Sequence, residues 1–299
     1  MMNNKNLIYI GGPTGVGKTA IAIHIAKNLS AEIVSCDSRQ FYKEMSIGTA
    51  VPSNEEINLV KHHFIQDRSI KNPLNVGTYQ KESISKINKI LENNKYVILV
   101  GGSGLYANSV LFGIDKFPKV NNSTIRKLNN IYINGGIKIL QKELKIRDYE
   151  SYKSIDINNH RRLIRVLSVC VETNLKYSSF LGKTKEVRKF NHQIYIISDD
   201  RNIIYNKINK RVDRMIKNGL ENEAESLYKD NNSIVFETVG YKEWVSYWNG
   251  LKSKTKTIDE IKKNTRRYAK RQLTWFKKYD EALWLKPNGA ANKILNNYK

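Results

Sequence analysis

The chain has 299 residues, 40% hydrophobic and 26% charged, with a formal net charge of +23 at pH 7. That length accommodates one large domain or two smaller ones around a sizeable core. Two cysteines, Cys36 and Cys170, exclude a disulfide framework or a zinc pattern, and no apolar stretch reaches the length of a membrane span.

In chain order, the first apolar run is Leu7–Ile10, a strand pattern that begins within a few residues of the first methionine. This leaves no room for a signal peptide, and the expected setting is a reducing cytoplasm. Directly after it, Gly12 to Thr19 read GPTGVGKT. The run fits G-x-x-x-x-G-K-[ST], a loop whose glycines let backbone N–H groups curl around a phosphate. In it Lys18 supplies a point charge and Thr19 a hydroxyl for Mg²⁺. The helix expected over Ala20–Leu29 aims its positive N-terminal end at the same place. The loop alone leaves open which phosphate compound it holds.

The next strand, Ile33–Ser35, is followed by Cys36-Asp37-Ser38. A carboxylate at a strand's carboxyl end lies on the rim where α/β sheets bind ligands. Asp37 is therefore expected to face the phosphate loop, with an Asx turn or a helix cap as the plainer reading. Cys36 reads as a small residue at the strand end. His62 and His63 have no useful metal spacing and read as structural, preceding a short strand at Phe64–Ile65. Val97–Val100 is a further strand. It ends in Gly101-Gly102-Ser103-Gly104 without an acid, so it is not a Walker B strand. This alternation of strands and helical patterns predicts a doubly wound parallel sheet of the P-loop NTPase-like α/β class.

The pattern changes after Gly113. Residues 116–189 contain only helix-like segments, at Ser123–Asn130, Gly136–Leu144 and Asn159–Thr173, punctuated by Gly135-Gly136 and Asn158-Asn159. A helical insertion spanning 116–189 is expected, within a core formed by 1–115 and 190–299. Residues 116–190 hold 17 Lys/Arg against 6 Asp/Glu. The strand pattern returns at Ile194–Ile197. A long helix then runs from a cap at Asp200 to about Tyr228, with Ile204, Ile208, Val212 and Met215 on its buried side. The last long helix opens at a capping box, Thr257-Ile258-Asp259-Glu260. Residues 257–279 hold 8 Lys/Arg against 2 Asp/Glu. On that helix Lys262, Arg266 and Lys270 share one face, and Ile261, Tyr268 and Trp275 another. Leu283–Leu285 is a final strand. Two concentrated basic segments are the electrostatic footprint of a polyanion binder, and nucleic acid is the expected partner.

Several runs occur in a fixed order: GPTGVGKT, SCDSRQFYKEMSIGTAVP (35–52), VGGSGLY (100–106), RRLIRVLSV (161–169), VGY (239–241) and YAKRQLTWF (268–276). In these the chain resembles the tRNA dimethylallyltransferase (tRNA isopentenyltransferase) family, over nearly its whole length. The resemblance implies that the loop Gly12, Pro13, Thr14, Gly15, Val16, Gly17, Lys18 and Thr19 holds the diphosphate of dimethylallyl diphosphate rather than ATP. It implies prenyl transfer to N6 of the adenosine next to the anticodon, Mg²⁺ as cofactor and a monomeric enzyme. It assigns Asp37 as general base, Ser103 to the reacting groups and Arg211 to the leaving diphosphate. It places tRNA contacts at Asp37, Ser38, Arg39, Gln40, Ser103, Arg126, Arg161, Arg162, Arg165, Lys242, Lys270, Arg271, Gln272 and Lys277.

The chemistry is consistent with those residue types. An adenine amine is a weak nucleophile because its lone pair is delocalised into the ring, and a carboxylate can take its proton as the C–N bond forms. Growing charge on the leaving diphosphate calls for Lys18, loop amides, Mg²⁺ and an arginine. The target base must be unstacked from its loop to be reached. The chain departs from the family pattern at Lys61, where relatives often have Pro, and at Glu237, where many are basic. Two other enzymes remain open on the residues: a small-molecule kinase using the same loop with ATP, and a prenyltransferase acting on free adenine nucleotides. A GTPase-type switch is disfavoured by the lack of an N/T-K-x-D motif.

Overall fold

The computed structural model describes residues 5–182, 186–229 and 233–298. The elements run β1 (Asn6–Gly11), α1 (Lys18–Leu29), β2 (Glu32–Ser35), α2 (Asn54–Leu59), β3 (His62–His63), α3 (Val76–Asn93), β4 (Tyr96–Val100) and α4 (Gly104–Leu111). They continue with α5 (Asn122–Gly135), α6 (Ile137–Arg147), α7 (Tyr149–Ser154), α8 (His160–Thr173), β5 (Asn191–Ile197), α9 (Arg201–Lys217) and α10 (Leu220–Tyr228). The chain ends with α11 (Ser233–Glu237), α12 (Trp244–Trp248), α13 (Lys254–Phe276), β6 (Leu283–Leu285) and α14 (Ala290–Leu295).

Among the described residues the strands form one sheet in the order β3-β2-β4-β1-β5-β6, and every neighbouring pair is parallel. Strand side chains alternate between two apolar layers, as the pleat requires. Leu7, Tyr9, Val34, Leu99 and Ile196 join the layer that includes residues of α3, α4, α10 and α13. Ile8, Ile10, Ile33, Ile98 and Ile197 join the layer of α1 and α14. Burial on both faces explains why the strands read as near-continuous apolar runs. β1 connects to β2 on one side of the sheet, and the later β5 lies on β1's other side. The carboxyl ends of β1, β2 and β4 thus border the crevice where the winding reverses.

The chain divides into two compact units, Met1–Leu111 with Arg188–Lys299, and Phe112–Val187. The second unit is helical and has its own apolar core, including Leu128, Leu140, Leu144, Leu163, Ile164 and Leu167. A buried aspartate organises it. Asp148 accepts from the backbone N–H and hydroxyl of Ser151 (3.1 and 2.6 Å) and of Ser178 (2.7 and 2.9 Å).

Three sequence expectations are corrected. The strand expected at Phe64–Ile65 lies at His62–His63 instead. Phe64 and Gln66 have φ of 60° and 46°, which takes the chain out of extended pairing. The long helix expected from Asp200 to Tyr228 is two helices. α9 ends at Lys217, and Gly219 at φ 95° starts α10, a left-handed conformation suited to glycine. The capping box expected at Thr257 is helix interior. α13 begins three residues earlier, where the Ser253 side chain accepts from Lys256 N, and the Thr257 hydroxyl bonds back to Ser253 O at 3.1 Å.

Candidate active site

The phosphate loop leaves β1 at Gly11 and enters α1 at Lys18. Gly12 sits at φ 146°, and a Cβ there would collide with the carbonyl oxygen of Ile197. Only glycine lets the loop cross β5 this closely. Val16 is buried in the core and pins the loop from below. Pro13 O accepts from Lys18 Nζ at 2.8 Å, which folds the lysine back over the loop. Burial lowers the Lys18 pKa to about 8; the nearby Asp37 charge opposes the shift and Arg211 adds to it.

One cleft is lined by Thr14, Gly15, Gly17, Lys18, Thr19, Asp37, Gln40, Arg211 and Gln272, together with Thr49, Ala50, Pro52 and His62. Residues from four distant parts of the chain thus converge on the loop. Arg211, from α9, donates through Nη1 to the Thr14 hydroxyl at 3.2 Å. Burial lowers its pKa, and the Asp37 carboxylate works against that shift. Lys18, Arg211 and Asp37 are therefore coupled charges on one wall.

Asp37 follows β2 and makes the Asx turn that its sequence context allowed, with Oδ1 accepting from Arg39 N at 3.1 Å. The turn orients the carboxylate without taking it out of the cleft. Ser38 N donates to Ser103 Oγ at 3.0 Å, and the two hydroxyls lie 3.1 Å apart. The turns after β2 and β4 are thereby locked together. Ser103 is itself buried. Gln40 uses its Nε2 on Thr49 O (3.2 Å) and Ala50 O (2.9 Å). Gln272, on α13, is buried. Its Oε1 accepts from Thr14 N at 2.9 Å and its Nε2 donates to Gly102 O at 3.0 Å.

Lys242, Lys270, Arg271 and Lys277 do not line the cleft, and the last three are exposed. Arg126, Arg161, Arg162 and Arg165 belong to the 112–187 unit and are exposed there. On α8 the buried Leu163, Ile164, Val166 and Leu167 alternate with these arginines. The guanidinium of Arg165 also lies over the Phe117 ring, 5.4 Å from its centroid.

Sequence reasoning missed three features. His62, read as structural, lines the cleft. Its Nδ1 lies 2.7 Å from Val60 O, so that nitrogen carries the proton. Its Nε2 is buried without a partner among the described residues, and burial lowers its pKa. Tyr268, placed only on a helix face with Ile261 and Trp275, is a second; burial and then the Asp37 charge push its pKa up to about 12. The loop 46–52, which carries the carbonyls for Gln40, is held by Glu223 (below). The only sequence signal for the loop and for Tyr268 was that they fall inside the runs SIGTAVP and YAKRQLTWF, and His62 had none.

The comparisons with known proteins agree with one another. The family model described as IPP transferase matches residues 40–279. The chain is 46% identical to a tRNA dimethylallyltransferase of Flavobacterium johnsoniae, covering 98% of this chain and 96% of that one. It is 48% identical to one of Christiangramia forsetii, over 93% and 92%. A full-length tRNA isopentenylpyrophosphate transferase from Bacillus halodurans superposes with a TM-score of 0.72 at 32% identity, covering 98% of this chain and 95% of its own. A eukaryotic dimethylallyltransferase acting on tRNA gives 0.78 at 24% identity over 95% and 74%, a likeness that speaks to the fold alone. With a phosphate loop, an Asx-turn aspartate and a partly buried arginine gathered at one sheet rim, and with near full-length similarity to these enzymes, the chain belongs to the IPP transferase family.

Proposed function

We propose that the chain transfers a dimethylallyl group from dimethylallyl diphosphate to N6 of the adenosine on the 3′ side of the tRNA anticodon, releasing diphosphate. The observation that carries this is the convergence of the phosphate loop, Asp37 and Arg211 in one cleft, in a chain of this family. The allylic C–O bond breaks, its electron pair leaving with the diphosphate. The N6 lone pair forms the new C–N bond, and the N6 proton passes to the Asp37 carboxylate. A general base so placed is worth about 10²–10⁴-fold.

The donor's diphosphate is held by the loop residues Gly12 to Thr19, with their amides at the N-terminus of α1. Lys18 and Arg211 balance the charge that grows on the leaving group. Burial lowers the pKa of both, and the negative charge of a bound diphosphate favours their charged forms. The Thr19 hydroxyl lines the same cleft and is a hard oxygen donor that would hold Mg²⁺. When bound, Mg²⁺ supplies further positive charge to the departing diphosphate.

The acceptor is read by the segment Asp37 to Gln40, with Ser103 fixing Ser38. The bond between Ser38 and Ser103 keeps the turn rigid when the unstacked base arrives. Gln272 serves by clamping the loop at Thr14 against Gly102. The insertion spans residues 116–189. It supplies Arg126, Arg161, Arg162 and Arg165 to the RNA backbone, and the core adds Lys242, Lys270, Arg271 and Lys277. Phosphate contacts of this kind position the stem-loop without reading sequence. Its tRNA substrate gives the reaction a cytoplasmic setting. Against a kinase, the strand β4 ends in glycines and Ser103 with no acid, and against free nucleotides the two basic segments have no use.

The test is incubation with Mg²⁺, radiolabelled dimethylallyl diphosphate and an unmodified anticodon stem-loop, with AMP and ATP in parallel tubes. Label in the RNA is expected. Label only in the nucleotides would move the activity to free adenine nucleotides, and no label with folded protein would return the kinase reading. Asp37→Asn is expected to lose most turnover while still binding RNA in a mobility-shift assay. A near-normal rate would remove Asp37 as the base.

A further inference from the structure

We infer that Glu223 is a positioning residue for the RNA side of the site, acting through the loop 46–52. The inference rests on the function proposed above. Glu223 lies on α10, which no motif links to the cleft. Its carboxylate accepts from three consecutive backbone amides: Ser46 N at 3.0 Å, Ile47 N at 2.8 Å and Gly48 N at 3.0 Å. It also accepts from the Tyr241 hydroxyl at 2.7 Å. Successive amides turned toward one anion form a concave nest, and charge-assisted bonds of this kind are stronger than neutral ones. The negative charge is thereby consumed by the protein's own backbone, some 175 residues away in sequence.

The anchored segment continues directly into the cleft. Thr49 and Ala50 present the carbonyls that hold the Gln40 amide, and Thr49, Ala50 and Pro52 line the wall. Ala50 is held at φ 48°, a left-handed conformation that a side chain adopts only when its surroundings impose it. The loop is packed as well as bonded. Tyr241 is buried, and its ring lies so close to Gly48 that a Cβ there would collide with it. The turn carrying Tyr241 is fixed in its own right. Glu243 accepts from Gly240 N at 2.8 Å and from Asn264 Nδ2 of α13, also at 2.8 Å. The chain of support therefore runs from α13 through Glu243 and Tyr241 to Glu223, then to the loop and Gln40. Gln40 N in turn donates to Asp37 O at 3.2 Å. The phosphate loop takes no part in it.

That separation makes the assignment testable. Glu223→Gln keeps size but replaces one accepting oxygen with an NH₂ that cannot receive the loop amides. The expected result is a fall in kcat/KM for stem-loop RNA of about 100-fold, the scale on which small misplacements of a site act. The affinity for inorganic diphosphate, read by calorimetry, stays unchanged, and hydrogen exchange at the amides of Ser46, Ile47 and Gly48 accelerates. Tyr241→Phe keeps the ring on Gly48, removes one bond to Glu223, and is expected to move the same readouts less. It also decides the matter if Glu223→Gln fails to fold. Unchanged RNA kinetics despite faster exchange would overturn the inference. So would a parallel loss of diphosphate affinity, which would make Glu223 a general support of the fold. Wild-type protein without transfer to RNA would sink the function proposed above, while the exchange data would still report whether Glu223 anchors the loop.

Discussion

Lys18 is the residue whose behaviour is most sensitive to what the cleft holds. Burial brings its pKa down to about 8 from the usual 10.5, so in the empty site the lysine begins to lose its proton at mildly alkaline pH. Below that pKa the buried charge costs folding stability, and the cost fades as pH climbs from about 8 toward the unfolded value. Diphosphate binding must restore the proton. Calorimetry at about pH 8.5 in buffers of different ionisation enthalpy is therefore expected to show proton uptake on diphosphate binding. Affinity should weaken as pH rises through the Lys18 pKa. Binding without proton exchange would show that Lys18 is already charged in the free protein. At this scale the local motif was informative: the loop 12–19 and Asp37 were legible because consecutive residues do the work. Tyr268 and Glu223 were not, because each matters through a residue distant in sequence, and His62 was not, because the cleft it lines is assembled from distant segments. A histidine next to a histidine gives no hint that one nitrogen is spent on a local carbonyl and the other is buried where the residue lines the cleft.

Among the elements, α8 shows how a helix can serve two surfaces. Its apolar residues enter the core of the 112–187 unit, while Arg161, Arg162 and Arg165 stay exposed. Asn159 caps it, accepting from Arg162 N at 3.1 Å, so the arginines crowd the first turns. Replacing Arg161 and Arg162 with Ala is expected to weaken RNA binding without changing which stem-loop is preferred. The slope of log K against log salt should become shallower by roughly 0.7–0.9 for each lost phosphate contact. An unchanged slope would take α8 out of the RNA interface. Element ends were the least legible feature. Apolar periodicity runs across Gly219 without a break, so α9 and α10 read as one helix. Periodicity reports which side is buried, not where backbone hydrogen bonding stops, and Ser253 rather than Thr257 supplies the cap because its own residue is the one left outside the helix.

For the molecule as a whole, a ligand that binds only the folded state must stabilise it. Diphosphate at a hundredfold excess over its Kd should add about 2.7 kcal/mol, which raises Tm by several degrees, at about 2–4 °C per kcal/mol for a unit of this size. Calorimetric scans with and without diphosphate check this, and Lys18→Ala should abolish the shift. The sequence by itself determined the class of fold, since apolar runs of strand length separated by helical patterns can be buried only as a parallel sheet covered on both faces. It also determined the phosphate loop, because that chemistry is made by adjacent backbone amides. The tertiary structure alone decided how α9, α10, α13 and the loop 46–52 meet at one rim. Arg211 reaching Thr14, Gln272 bridging Thr14 to Gly102, and Glu223 holding the amides of 46–48 are contacts across 170 or more residues. No local propensity encodes such pairings; they follow from the strand order β3-β2-β4-β1-β5-β6 and from the packing that brings distant helices over the same strand ends.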